Sequence, residues 1–116
     1  MHTYPAPRYF LKNTNLINVI GEYGGLKLEI KKHTWKDNNF RYLVLNDKAE
    51  LTNRYIEFIK DMIKLVPQGI TAGIYTQTTD VEGELNGLIT YDRYHLKVYN
   101  IIKDYNEKLI KSLKNQ

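Results

Sequence analysis

The chain has 116 residues, 42% of them hydrophobic, and a formal net charge of +4. This composition is too apolar for a disordered chain, and the absence of cysteine excludes disulfides, metal–thiolate sites and a thiol nucleophile without choosing a compartment. No run of about 18 apolar residues indicates a membrane span, and the lysines are spread out among carboxylates, so we expect neither a membrane nor a nucleic acid partner.

The first half of the chain predicts a loop, one strand and a second, long loop. Residues 1–10 contain two prolines and no periodicity, which is typical of a loop. Residues 16–23 form a short apolar run that ends at two glycines, so we predict a buried strand and a sharp turn. Residues 27–47 are irregular, polar and too long for an ordinary connection. The side chains expected to anchor this second loop are Trp35, Phe40, Tyr42, Leu43 and Leu45.

The second half predicts helix, strand, loop and helix. Apolar side chains recur at steps of three and four from Leu51 to Val66, and Pro67 and Gly69 stop that helix. Residues 70–76 show no alternation of apolar and polar side chains, which is typical of a strand buried on both faces of a parallel sheet. A final helix is predicted from the apolar spacing that begins at Leu96.

This order of elements is one βαβ crossover with a trailing helix, so the sequence predicts an α/β fold. Two parallel strands alone bury too little apolar surface to offset chain entropy, and they leave two open edges. The chain is therefore expected to be part of a larger sheet.

Residues 71–93 carry the most specific pattern in the chain. They read TAGIYTQTTDVEGELNGLITYDR, which resembles the segment that closes the (β/α)₈ barrel in glycoside hydrolase family 2, the β-galactosidase and β-glucuronidase group. The resemblance implies that residues 1–116 are a single segment, the C-terminal quarter of a catalytic TIM barrel containing about its last two βα units. A whole barrel of this kind needs about 250 residues.

Glu22 is the predicted catalytic residue. It lies at the carboxyl end of the first strand, in Gly21-Glu22-Tyr23-Gly24-Gly25, which resembles the motif that bears the family's nucleophile. Retaining glycosidases pair such a carboxylate with a second, acidic one about 5–5.5 Å away. Without the resemblance, a lone glutamate at a strand end is more often a salt-bridge or capping residue.

The resemblance implies that the partner acid lies outside this chain, in an Asn-Glu pair at the end of the fourth barrel strand. Glu29 lies in a lysine-flanked loop, and Glu82 and Glu84 belong to the closing motif, so none of them is assigned as the acid. The chain alone is therefore expected to be inactive, and its partners are expected to be a carbohydrate substrate and the remainder of the barrel.

Five further residues are expected to bind the substrate. His2 and Tyr4 precede Pro5 in a stretch that resembles a family segment after the sixth strand, with Met1 at a variable position and the preceding aspartate absent. Trp35 follows His33-Thr34 in a stretch that resembles a Gly-His-Thr-Trp element, with Lys32 replacing the glycine; an aromatic ring there can stack on a sugar or simply pin the loop. The last two, Tyr75 and Gln77, stand at the end of the second strand and are expected to face the same cleft as Glu22.

No metal or cofactor is expected. Asp80, Glu82, Asn86 and Asp92 are oxygen ligands, but their spacing is not that of an EF-hand, and structural roles are the default. The three histidines are too scattered in sequence to indicate a zinc site.

Two alternatives remain open at this stage. One is a non-catalytic carbohydrate-binding or interaction module derived from the same fold, which retention of the whole Glu22 motif argues against. The other is an unrelated small α/β domain that oligomerises to complete its sheet.

Overall fold

Two helices and short parallel strands give the chain an α/β arrangement in the computed structural model, which describes residues 2–8, 15–35 and 43–115. In chain order the elements are β1 (Asn18–Gly24), β2 (Leu26–Lys27), β3 (Leu43–Val44), α1 (Lys48–Leu65), a 3₁₀ turn (Val66–Gln68), β4 (Ile70–Thr76) and α2 (Ile101–Lys114). β1 pairs with β4 and β2 pairs with β3, both in parallel. Because α1 lies between the parallel strands β1 and β4 in the chain, the predicted βαβ crossover is confirmed.

Helix α1 has clear sequence signals at both ends. The Asp47 carboxylate accepts a hydrogen bond from the Glu50 amide at 2.8 Å, and the Glu50 carboxylate accepts one from the Asn46 amide, also at 2.8 Å. Such caps typically contribute about 0.5–2 kcal/mol. At the other end the chain tightens into the 3₁₀ turn at Pro67 and reverses at Gly69, whose φ of 104° lies in the left-handed region.

The core lies between α1 and one face of the β1–β4 pair. Its side chains are large, and burial of each contributes about 1.5–3 kcal/mol. They are Ile20, Tyr23, Leu26, Leu28, Leu45, Leu51, Tyr55, Phe58, Ile59, Met62, Ile70 and Val98. Helix α2 packs on α1, where the Tyr55 hydroxyl donates a hydrogen bond to the Asn106 side-chain oxygen at 3.0 Å. No helix in the described ranges has the length and apolarity that a membrane crossing requires.

Both strands of the central pair differ from their predictions. Leu16 and Ile17 precede β1 and are 66% and 81% exposed, because pairing with β4 starts only at Asn18. The expectation that β4 is buried on both faces is wrong, since Ile74 is 57% exposed. The physical reason is that α1 covers the face on which a Gly73 Cβ would meet Met62, while nothing in the described residues covers the face of Ile74.

The predicted start of the last helix and some of the expected anchors of the long loop also need correction. Helix α2 begins at Ile101 rather than Leu96, because Leu96 forms a β-bridge with Ile89 and Val98 enters the core. Of the expected loop anchors only Leu45 is confirmed, at 5% exposure. Leu43 and Trp35 are exposed, and Phe40 and Tyr42 lie outside the described residues.

Candidate functional site

Glu22 lies near the carboxyl end of β1, on the face of the strand pair away from α1. Ile20 and Tyr23 are both buried beneath α1, although they are three positions apart. The register explains this: Ile20 is opposite Gly73 and Tyr23 is opposite Tyr75, so Gly21 and Glu22 together face the single residue Ile74. A bulge of this kind re-aims side chains. It turns the Glu22 carboxylate toward the uncovered side, where its side chain is 36% exposed.

Among the described residues, two side chains contact the Glu22 carboxylate, and both come from the segment before β1. The Tyr4 hydroxyl donates a hydrogen bond to Glu22 Oε2 at 2.7 Å, and His2 Nδ1 lies 3.0 Å from the same oxygen. The backbone holds this arrangement, since the Thr3 amide donates to the Glu22 carbonyl at 2.7 Å and the Gly24 amide donates to the Pro5 carbonyl at 2.9 Å. The structure thus brings together His2, Tyr4 and Glu22, three of the six residues proposed from the sequence.

Tyr75 lies on the opposite face from Glu22, which corrects the expectation that both line one cleft. Its ring packs edge-on against Tyr23 at 5.6 Å and against Tyr55 at 4.9 Å, beneath α1. Its buried hydroxyl has no hydrogen-bond partner among the described residues. The bulge in β1 is the physical reason: it puts Tyr23 and Tyr75 in phase on the helix side and leaves Glu22 out of phase with both.

Gln77 is engaged by the loop that follows β4. Its side-chain nitrogen donates hydrogen bonds to the Asn86 side-chain oxygen at 3.0 Å and to the Glu84 carbonyl at 3.4 Å. These contacts orient the side chain within the loop. The predicted contact with substrate stays a prediction, and it would use the amide oxygen, because the nitrogen is already occupied.

Trp35 is exposed and packs beside the closing segment rather than beneath it. It is 55% exposed, and its ring centroid lies 4.9 Å from that of Tyr91. An exposed indole held by a neighbouring aromatic ring offers one face for stacking. The structure therefore keeps both sequence-based roles for Trp35 available, because the ring contacts Tyr91 and also presents an exposed surface.

The residue that sequence reasoning missed is Lys97. Its ammonium is fully buried and donates hydrogen bonds to Asp80 Oδ1 at 2.8 Å, to Asp80 Oδ2 at 3.0 Å, and to the carbonyls of Leu28 and Leu85 at 2.8 and 3.0 Å. Burial raises the pKa of Asp80 and lowers that of Lys97, while the ion pair opposes both shifts. Lys97 is therefore the ion-pair partner of Asp80, for which a structural role is expected. Asp80 also accepts a hydrogen bond from the Gly87 amide at 2.8 Å.

The three histidines do not all stay apart, contrary to the expectation from their spacing. His2 lies at Glu22, but His33 and His95 contact each other, with 3.1 Å between their Nε2 atoms. Within residues 2–8, 15–35 and 43–115, no group of three or more histidine, cysteine, aspartate or glutamate side chains is arranged to hold a metal ion.

Comparison of the chain with models of known protein families gave no match, and comparison with curated protein sequences gave none.

Proposed function

We propose that this chain is the C-terminal part of the (β/α)₈ catalytic barrel of a retaining glycoside hydrolase, with Glu22 as the nucleophile and a carbohydrate as the substrate. The observation that carries the proposal is the position of the Glu22 carboxylate, at the carboxyl end of a parallel strand and on the face away from the helix. In TIM barrels the helices lie outside, and the active site is built at the carboxyl ends of the strands. A nucleophile on β1 has to face this way.

The uncovered side of the strand pair supports the need for further strands. Ile74 is 57% exposed and Val19 is 36% exposed, although both belong to parallel strands. Parallel sheets are normally covered on both faces, and an open apolar strand edge favours association. The remainder of a barrel would close the sheet and bury these side chains, and it is the partner that we propose for this surface.

The chemistry assigned to Glu22 is attack on the anomeric carbon. A carboxylate oxygen forms an ester bond to C1 while the bond from C1 to the leaving oxygen breaks, and a proton from the partner acid goes to that oxygen. Water then attacks C1, gives its proton to the same acid residue and releases the Glu22 carboxylate. Net retention of configuration follows from the two inversions.

Tyr4 would set the orientation of the nucleophile. Its hydroxyl donates to Glu22 Oε2 at 2.7 Å, and a hydrogen bond to an ionised carboxylate is stronger than one between neutral groups. This bond restricts rotation of the carboxylate and stabilises its charge before attack. The resemblance assigns the partner acid to a preceding strand, and the side chains that contact Glu22 among the described residues are a phenol and an imidazole.

The test uses the barrel that this sequence completes, together with a panel of 2-deoxy-2-fluoro β-glycosyl fluorides. The fluorine at C2 slows hydrolysis of the ester, so the sugar should accumulate on the nucleophile. We expect mass spectrometry of peptides to find the sugar on Glu22. The Glu22→Gln variant should lose turnover by a factor of about 10⁴ or more while still binding substrate, since removal of a catalytic nucleophile has effects of this size.

Glu57→Gln is the matched control, because Glu57 lies on the exposed surface of α1, in an ion pair with Arg54. It should leave labelling and turnover unchanged. Labelling of a different carboxylate, or full activity in Glu22→Gln, would refute the assignment. Sugar binding by an assembled barrel that neither turns over nor becomes labelled would favour the non-catalytic carbohydrate-binding alternative, for which the exposed ring of Trp35 provides a surface.

A further inference from the structure

His33 and His95 meet at the surface, apart from the Glu22 site. They are 62 positions apart in the chain, yet their Nε2 atoms are 3.1 Å apart and their rings lie at 82° to each other. A metal ion holds each imidazole nitrogen at about 2.0–2.1 Å, which puts two such nitrogens roughly 3.3 Å apart in tetrahedral geometry. The pair is therefore spaced almost as two ligands of one ion are.

Asp92 lies behind His33 on the far side of its ring. Asp92 Oδ2 is 2.6 Å from His33 Nδ1. The other carboxylate oxygen accepts hydrogen bonds from the Thr90 hydroxyl at 2.7 Å and from the Tyr94 amide at 3.1 Å, so the carboxylate is fixed. A carboxylate on Nδ1 holds the proton there and leaves the Nε2 lone pair free to bind, which is the usual arrangement of metal-binding histidines.

The surroundings suit a site that is held on one side and open on the other. The Tyr94 ring stacks on His33 with 13° between their planes and 5.5 Å between their centroids, which fixes the plane of the His33 imidazole. His95 is exposed and can turn to bring its lone pair onto an ion, and water can complete the coordination. Two imidazole ligands favour zinc, nickel or copper over calcium and magnesium, which prefer oxygen.

We propose that His33 and His95 bind one divalent ion of the zinc, nickel or copper type through their Nε2 atoms, with Asp92 as the positioning residue for His33. The bound ion links the loop after β2 to the segment before α2. This inference does not depend on the glycosidase proposal, because its residues are separate from Glu22, Tyr4 and His2.

The experiment is isothermal titration of the chain with Zn²⁺ and, separately, with Ni²⁺ and Cu²⁺ at about pH 8, because metal ions bind only a deprotonated imidazole nitrogen. We expect saturable binding of one ion per chain. His33→Ala and His95→Ala should each weaken binding at least tenfold. Asp92→Asn keeps both ligands but removes the anionic acceptor, and it should weaken binding by about 10–100-fold.

His2→Ala is the matched control, since the chain has three histidines and His2 lies at Glu22. It should leave the affinity unchanged. The proposal is overturned if none of the three ions binds, if the double variant His33→Ala/His95→Ala binds as tightly as the unmodified chain, or if His2→Ala abolishes binding. Imidazole NMR signals of the unmodified chain provide a second measurement that needs no variant: Cu²⁺ should broaden those of His33 and His95 before those of His2, and the reverse order overturns the proposal.

Discussion

At the scale of single residues, Lys97–Asp80 is the one ion pair in the described part of the chain whose two side chains are both buried. The ammonium has three protons, and the acceptors around it are the two Asp80 oxygens and two backbone carbonyls. Desolvating two charges costs several kcal/mol per ion, and good geometry offsets that cost only while both partners are present. Removal of one partner therefore leaves a buried, uncompensated charge.

Lys97→Met should lower the free energy of unfolding by about 3–5 kcal/mol, as measured by urea denaturation. Lys103→Met is the control, because Lys103 is 79% exposed and its ammonium is as far as 4.0 Å from the Glu107 carboxylate. An exposed pair of this kind contributes about 0.2–1 kcal/mol, so that variant should change stability by less than about 1 kcal/mol. Equal losses in the two variants would show that the buried pair has no special role.

The residues of the site differ in how far the sequence could predict them. Glu22 could be placed near the end of a strand because it lies in a short apolar run that stops at two glycines, a local signal, while its proposed role comes from the resemblance. Lys97 could not, because a lysine between Leu96 and Val98 has no local mark of burial, and its partner Asp80 lies 17 positions earlier. The face of Tyr75 was predicted wrongly because it depends on a bulge in β1, and the pairing of two strands distant in sequence fixes that bulge.

At the scale of elements, the loop after β4 folds back so tightly that it leaves no room for a side chain at Gly87. A Cβ on Gly87 would lie 2.2 Å from the Asp80 amide nitrogen and 2.3 Å from the Thr79 carbonyl carbon, both backbone atoms. A Cβ on Gly73 in β4 would meet only the Met62 side chain so closely, at 2.5 Å. Methionine is flexible and can move aside, whereas the backbone of a folded loop cannot.

Gly87→Ala should therefore destabilise the chain by about 3 kcal/mol, the upper end of the usual cost of overpacking. Gly73→Ala should cost about 1 kcal/mol, since repacking of Met62 relieves the contact. Thermal and urea denaturation of both variants measure the difference. A larger loss in Gly73→Ala than in Gly87→Ala would contradict the explanation.

The sequence predicted the elements better than their surroundings. The sequence indicated where helix α1 stops, because Pro67 and Gly69 act on their immediate neighbours, but it did not single out Asp47 as the cap at its start. The exposure of β4 was missed because burial of a strand is decided by what packs on each face. The lack of alternation in residues 70–76 indicates that both faces of β4 are apolar. It does not show which face is covered, and in the structure the face that bears Ile74 is exposed.

At the scale of the whole molecule, three tyrosines from three elements join the strand pair to both helices. The ring of Tyr75 in β4 packs edge-on against Tyr23 of β1 and against Tyr55 of α1. The Tyr55 hydroxyl in turn donates a hydrogen bond to Asn106 of α2. Burial raises the pKa of all three phenols, and their mutual repulsion as phenolates raises those of Tyr23 and Tyr75 further. The folded state therefore keeps them protonated where an unfolded chain does not.

Stability should fall steeply in alkali as a result. Below about pH 10 the three phenols are protonated in both states, so their contribution is complete. Above it the unfolded chain releases protons that the folded chain retains, and each tyrosine lowers the free energy of unfolding by about 1.4 kcal/mol per pH unit until its own folded pKa is reached. Urea denaturation between about pH 8 and pH 11, with phenolate absorbance as a second signal, measures this.

Tyr75→Phe should make the alkaline decline shallower and should not reduce stability near neutrality, since the lost hydroxyl has no partner among the described residues. Tyr94→Phe provides the control, because Tyr94 is 77% exposed and lies outside the buried tyrosine cluster. An unchanged slope in Tyr75→Phe would contradict the assignment of the decline to this cluster.

The burial of Lys97 also makes that amine a reporter of folding. Of the lysines in the described ranges, only Lys97 is buried, and its ammonium has no surface open to an acylating or methylating reagent. Modification of the native protein should therefore spare this one amine and react with the exposed ones. The rate at which the peptide that contains Lys97 gains mass would measure how often the segment around Lys97 opens to solvent.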